Sequence, residues 1–548
     1  MILRDYQKDA HDKTLEAFRK SRAVLVVCAT GLGKTIIAAH IVKAFLARGR
    51  ILWLAHHEEL ITQARDKLEA ITGERVEVEM ADSWAAKTTI WGGAKIVVGS
   101  IQTQIAGSNG GRMRRFDPND FSLVVVDEAH HATAASYRKS ISYYRQNPDL
   151  AILGLTATPD RADEEALGQI FDDVPFEFDI NDGIDSGWLV PVMQTVVHVD
   201  GLDYSAVRTT AGDLNGKDLA DILEYEQNIH EMVTPILDVC GDRKTLIFTI
   251  TVAQADRTAE ILNRHKPGSA EYVCGTTPKD YRREMFQRYA EGKFQYLVNV
   301  GVTTEGFDEP TIQCIVMGRP TESRGLFAQM AGRATRPLPG IVDGVDTADA
   351  RKALISLSGK PYMEIVDFVG NSGRHKLIHA ADILGGKYSD EIVELANRNA
   401  ERQDKPVDIA SELAQAEREI DRRRREREEA ATRADIKLRS RYTTSKIDPF
   451  DVLDIVPGRE PGWHKGRMPT EKMKKCLENF GVTADDLSFS RAHQLIDKLI
   501  KRAQAQKATF KQVRLLRSKG IDATEMTMPE ATAAISEIAQ REGWRQRA

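Results

Sequence analysis

Short apolar runs alternate with amphipathic stretches along the first part of the chain. AVLVVCAT (residues 23–30) is followed by KTIIAAHIVKAFLA, and ILWLA by EELITQARDKLEAI; KIVVGS, SLVVVDEA and AILGLTA continue the series. Continuous apolar runs bounded by turn residues fit strands buried on both faces, which occur in parallel sheets with helical crossovers. The pattern predicts an α/β domain over residues 1–188. A second series, TLIFTI, VAQADRTAEILNRH, AEYVCG, KDYRREMFQRYAEG, FQYLVNV, TIQCIVMG and YMEIVDFV, predicts a second domain of the same kind over 189–386. Gly187 and Pro191, in DSGWLVPV, interrupt the pattern and mark the join.

Beyond about residue 386 the character changes, and residues 387–445 are expected to form a charged helical linker. Its central stretch, IASELAQAEREIDRRRREREEAATRADIKLRSR, is rich in helix formers with opposite charges three and four apart, as in a solvated helix. Arg422–Arg425 within it reads either as solvated surface or as a phosphate contact. Residues 446–548 hold two copies of one pattern, at about 468–503 and 507–542. Thr470, Leu477, Gly481, Ala492 and Arg502 recur 39 residues later as Thr509, Leu516, Gly520, Ala531 and Arg541. Self-similarity at a fixed offset predicts a small all-α module of two repeats, each a helix ended by glycine and then a second amphipathic helix. Lys472, Lys474 and Lys475, with Lys511, Arg514, Arg517 and Lys519, suit a nucleic-acid backbone; docking of a protein partner is the other reading.

Composition adds boundaries rather than identity. At 548 residues the chain is long enough for several domains. No run approaches the ~20 apolar residues of a membrane span, so no membrane association is expected. The opening ILRDYQKDA lacks the basic-then-apolar profile of a secretory signal, which points to the cytoplasm. Five scattered cysteines, none in a C-x-x-C pair, fit neither a disulfide framework nor a zinc clip. The net charge of -5 is uneven: residues 441–548 carry 20 Lys and Arg against 14 Asp and Glu, and residues 1–440 carry 56 against 67. A basic end on an acidic body is a mild pointer to a polyanion.

Two motifs carry the chemistry. CATGLGKT (28–35) nearly fits G-x-x-x-x-G-K-[ST], with Cys28 where the first glycine would stand. It follows an apolar strand and opens a helix, so Gly31 and Gly33 would allow a turn whose N–H groups face an anion at a helix N-terminus. Lys34 would then reach the outer phosphates and Thr35 would bind Mg²⁺. In LVVVDEAHH (123–131), Asp127 and Glu128 end a buried strand at the carboxyl edge of the sheet, where ligands of open α/β sheets bind. Asp127 suits Mg²⁺, and Glu128 suits orientation and deprotonation of an attacking water.

With GLTATPDR, TEGFDEP and QMAGRATRP, these stretches resemble the ordered motif set of superfamily 2 helicases, of the DEAD/DEAH type related to type III restriction motor subunits and phage-borne helicases. The resemblance covers roughly residues 1–385. It implies two tandem RecA-like domains, with ATP and Mg²⁺ between them. It also implies that Gln7 reads the adenine edge with Arg4 nearby, and that Thr30 joins the phosphate loop. Thr156 and Thr158 would couple nucleotide state to the track, while Gly306 and Asp308 would approach nucleotide and ribose. Gln329, Arg333 and Arg336 would face the phosphates from the second domain, as charge stabilisation of phosphoryl transfer requires. His56, Ser100, Gln102, Thr103, Thr249, Thr303 and Thr304 would line a nucleic-acid track, through contacts to the backbone rather than to bases.

The function expected is an ATP-dependent DNA helicase or translocase acting on single-stranded or forked DNA. Two alternatives stand beside it: an RNA helicase, and a nucleotide-gated clamp or scaffold that binds DNA without unwinding it.

Overall fold

A computed structural model describes residues 3–542 apart from 90–91, 108–110, 158–160, 211–212, 303–306, 308, 373–374, 387, 404, 436–448, 454, 456–457 and 485–486. The first sheet contains β1 (Ala23–Cys28), β2 (Arg50–Ala55), β3 (Val76–Glu79), β4 (Ile96–Ser100), β5 (Phe121–Val126), β6 (Ala151–Thr156) and β7 (Asp173–Phe178). Their order is β3-β4-β2-β5-β6-β1-β7, and every neighbouring pair is parallel. β1, β2, β4 and β6 are buried at every residue, as apolar strands covered on both faces must be.

Next come β8 (Val192–Asp203), β9 (Thr209–Thr210), β10 (Asp213–Leu214), β11 (Thr245–Phe248), β12 (Ala270–Val273), β13 (Tyr296–Asn299), β14 (Cys314–Met317), β15 (Met363–Asn371) and β16 (Val407–Asp408). Strands β9 and β10 pair as a two-stranded ribbon. The remainder form a second sheet in the order β12-β13-β11-β14-β15-β8-β16, parallel except where β16 runs against β8. Tyr204, Leu219, Leu262 and Val298 belong to the core on its helical side.

The chain falls into two units, Met1–Gly386 with Ala396–Glu412, and Lys387–Leu395 with Leu413–Ala548. Both parallel sheets lie in the first. One expectation is corrected here: residues 396–412 are not part of a linker, because they belong to the first unit and supply edge strand β16. The buried Ala396, Ala400, Val407 and Ile409 explain why.

The second unit is helical among its described residues. Arg423 pairs with Glu419, and Arg422 with Glu426, along helix Ile409–Asp435. Further on, Glu471–Asn479, Phe489–Gln504, Phe510–Ser518 and Met528–Glu542 are helices. Thr470 and Thr509 each cap a helix N-terminus, accepting hydrogen bonds from Met473 N and Gln512 N. Gly481 and Gly520 take positive φ just beyond the same two helices. Leu477, Leu516, Ala492 and Ala531 are fully buried in one core.

Candidate nucleotide site

The site grows from the end of β1. Cys28 is completely buried, and burial pushes its thiol up to about 12 although the Lys34 charge opposes this. It is a neutral packing residue at the strand end, which accounts for the departure from glycine there. Past it the chain turns through Gly31 (φ +91°) and Gly33 (φ +79°), both in the left-handed region where a side chain is strained. Gly33 is the N-cap of helix Lys34–Phe45, so the first N–H groups of that helix face the loop.

β5 delivers the two acids. Asp127 is buried; its N–H donates to Leu54 O at 2.9 Å, and its Oδ1 accepts the Glu128 N–H at 3.0 Å. Glu128 adopts φ +48°, and its Oε1 lies 3.9 Å from Lys34 Nζ. Its other oxygen, Oε2, is buried with no hydrogen-bond donor among the described residues. His130 Nδ1 stands 3.5 Å from that oxygen and 3.3 Å from Thr156 Oγ1. His130 was missed in reading the sequence; its adjacency to Asp127 and Glu128 on one turn was the available signal.

The second sheet closes the other wall. Helix Arg324–Ala331 runs into Gly332, where a β-carbon would lie 2.5 Å from Thr30 Cβ. A β-carbon on Gly31 would lie 3.2 Å from Arg336 Cγ and 3.4 Å from its Nε. The arginine segment therefore rests on the phosphate loop. Arg333 Nη1 donates to Phe307 O at 2.8 Å. Lys34, Thr35, Glu128, Gln329, Arg333 and Arg336 all line one cavity of about 920 Å³. Behind Arg336, the buried Lys360 donates to Pro310 O at 2.6 Å. Burial, and then the Arg336 charge, bring its ammonium down to about 7. Nothing in the sequence around Lys360 pointed to this position.

Arg4, Gln7 and Trp188 line the same cavity. Arg4 lies 4.4 Å over the Trp188 ring and binds Asp343 at 2.9 Å, while Arg351 stacks on that ring at 3.9 Å. The Gln7 amide is already committed: Nε2 donates to Leu32 O at 3.1 Å and Oε1 accepts from Arg4 N at 3.0 Å. With only 3% of it exposed, Gln7 braces the phosphate loop in this conformation instead of presenting a bidentate edge to a base.

The expected track residues separate into groups. His56, Ser100, Gln102 and Thr103 come together at the carboxyl ends of β2 and β4: Gln102 Nε2 donates to His56 O at 3.1 Å, and Ser100 Oγ to Gln102 Oε1 at 2.6 Å. The rings of His130, His131 and His56 form a continuous series at 4.1 and 4.5 Å, joining this corner to the acids. Thr249, in contrast, is buried at the end of β11 and its hydroxyl donates to Asn299 O at 3.2 Å. In this conformation its hydroxyl donor is engaged within the sheet. Thr158, Thr303, Thr304, Gly306 and Asp308 lie outside the described residues.

A glycine phosphate loop on one parallel sheet, faced by arginines from a second, defines a nucleotide-binding chain with two RecA-like domains. Two family models match it: "Type III restriction enzyme, res subunit" over residues 1–161 and "Helicase conserved C-terminal domain" over 228–337. By both models the chain resembles the superfamily 2 helicases, and within them the type III restriction subunits and phage-borne members.

It is 28% identical over 405 residues to the ATP-dependent helicase candidate IRC3 of Saccharomyces cerevisiae, covering 71% of this chain and 54% of that protein. Similarity to the DNA 3'-5' helicase candidate Rad25 of Halobacterium salinarum is 30% over 348 residues, or 61% of this chain and 52% of the other. A 51.5 kDa protein of a Lactococcus phage is 25% identical over 311 residues, covering 56% and 61%. The chain thus spans roughly half of the length of the first two. Among solved structures, a fragment of an HsdR-subunit candidate of a type I restriction enzyme from Vibrio vulnificus superposes with a TM-score of 0.49 at 20% identity, covering 69% and 70%. No described helix is long and apolar enough to cross a membrane.

Proposed function

We propose that the chain is an ATP-driven motor that couples ATP hydrolysis to movement along DNA or to its unwinding. The observation that supports this most is the contact of Arg336 with Gly31, in a cavity also lined by Lys34 and Glu128. Groups from both sheets meet at one place, so a triphosphate there would be complete only with the domains closed, and hydrolysis would release them.

Thr35 and Asp127 fit Mg²⁺, since a hydroxyl and a carboxylate are the hard oxygen donors it takes, with water and phosphate completing its shell. When bound, the ion would neutralise charge on the phosphate oxygens. Lys34 and the helix N-terminus hold the phosphates. Glu128 accepts a proton from the attacking water at Oε2, the oxygen with no hydrogen-bond donor among the described residues. Arg333 and Arg336 stabilise charge on the transferred group, with Gln329 beside them. His130 links Glu128 to Thr156, and by the family pattern Thr158, Gly306 and Asp308 extend the nucleotide and coupling contacts. His56, Ser100, Gln102 and Thr103 form the first domain's part of the strand path, which Thr303 and Thr304 continue in the second. The two helical repeats of 446–548 serve as a docking module for a protein partner.

ATP hydrolysis measured with single-stranded DNA, duplex DNA, RNA and no nucleic acid tests this. Hydrolysis should rise with single-stranded or forked DNA above the other arms, and Lys34→Ala should abolish it in all. Equal rates in all four arms would remove the motor, and turnover surviving in Lys34→Ala would remove the site.

A further inference from the structure

The loop after β3 carries an aromatic that the fold leaves in water. Trp84 is 59% exposed. The turn beneath it is nevertheless held firmly. Met80 and Ser83 exchange backbone hydrogen bonds at 3.1 and 2.8 Å, and Ala81 between them is forced to φ +46°, a conformation that a β-carbon resists. Arg112 donates to the carbonyls of Ala81 and Ser83, and Arg115 to that of Ala85. Both guanidinium groups bind the fully buried Glu79 carboxylate, at 2.7 and 2.9 Å. The same two groups lie 3.4 and 4.5 Å from the Trp84 ring centroid.

This loop adjoins the corner described above. Ala81 N donates to Thr103 Oγ1 at 3.3 Å, next to the Gln102 that reaches His56. The buried Glu79 pairs with both Arg112 and Arg115 and so offsets part of their charge. What it offers is a stiff π-face, polarised by cations and flanked by charged rather than apolar groups.

We infer that Trp84 is a stacking platform for an unpaired base of a nucleic-acid strand passing over the ends of β2 and β4. The inference rests on the strand path proposed above and adds to it a contact addressed to bases. Stacking on one ring face needs no particular base, so the platform would hold any sequence. Arg112 and Arg115 act by fixing the ring.

The test measures, by fluorescence anisotropy, binding of the full chain to a labelled single-stranded DNA, the same strand as RNA, and an abasic strand of equal length. Trp84→Ala should weaken binding of the base-bearing strand by about tenfold or more, and Trp84→Phe should restore most of it. The abasic strand should bind both variants as it binds the unmodified chain. Should Trp84→Ala fail to fold, Trp84→Leu, which keeps bulk without a π-face, must show the same loss. Undiminished binding of the base-bearing strand by the variant, or an equal loss on the abasic strand, overturns the platform while leaving the motor reading intact. If the unmodified chain binds none of the strands, the strand path itself is wrong and the platform goes with it. The DNA and RNA arms identify which strand is held.

Discussion

Glu128 is where backbone strain and chemistry coincide. Its left-handed conformation costs a residue with a β-carbon roughly 1–2 kcal/mol. The fold maintains it through the Asp127 carboxylate, which accepts the Glu128 N–H, and through His131 N, which donates to the Glu128 carbonyl at 3.0 Å. The result turns one carboxylate oxygen toward Lys34 and the other toward His130. Glu128→Gln keeps the shape and removes the basicity. Single-turnover hydrolysis should fall by about 10²–10⁴, while titration with a fluorescent nucleotide should show affinity within a few fold of the original. A matching loss of affinity would mean that Glu128 serves binding and not proton transfer. Lys34, Thr35, Asp127 and Glu128 were legible because each sits in a contiguous motif whose strand and helix context can be read alongside it. Lys360 and Trp188 were not, because what matters about them is which distant residues they meet.

In the first sheet, the same distinction separates the central strands from the two edge strands. β1, β2, β5 and β6 announce themselves as unbroken apolar runs, since a strand covered on both faces has no polar side to show. β3 reads VEVE and β7 reads DVPFEF, at opposite ends of the first sheet, and neither appears in a search for such runs. β8, with VMQTVVHVDGLD, alternates because many of its residues are only partly buried, and β16 is two residues long. A search for period-two alternation would have found β3 and β8; nothing local would have found β16.

One link between elements yields a pH prediction. His379 N-caps helix Ala380–Leu384, and its Nδ1 lies 2.7 Å from Asp367 Oδ2 on β15. Burial pulls the imidazole down, but the Asp367 carboxylate more than offsets this, and the group rises to about 9. A folded value above the unfolded ~6.5 means that the pair's contribution is fully present below that pH and is lost as pH climbs through about 9. Urea denaturation should therefore show the stability difference between the unmodified chain and His379→Gln to be largest near pH 6 and to shrink above pH 9. A difference that does not change across that window would show that the imidazole is not held charged.

Taken as a whole, the first unit is closed in part by exposed ion pairs. Arg4 pairs with Asp343, Lys279 with Glu58 and Arg282 with Glu59, each with at least one partly exposed partner, and Val190 N donates to Thr335 O at 2.8 Å. Surface pairs of this kind contribute about 0–1 kcal/mol each, and the buried Arg351, bonded to Ser186 O at 2.9 Å and stacked on Trp188, adds to them. A ligand that binds both walls shifts the balance by its differential affinity for the closed form. Arg336 is the group through which that coupling is best tested. If it supplies charge to the transition state, Arg336→Ala should leave nucleotide affinity within a few fold and lower kcat at saturating ATP and strand by about 10³-fold or more. If it serves only to bring the domains together, KM should rise instead and kcat should recover at high ATP. Steady-state hydrolysis across a wide ATP range separates these outcomes. That Arg336 lines the same cavity as Lys34, Thr35 and Glu128 favours the first.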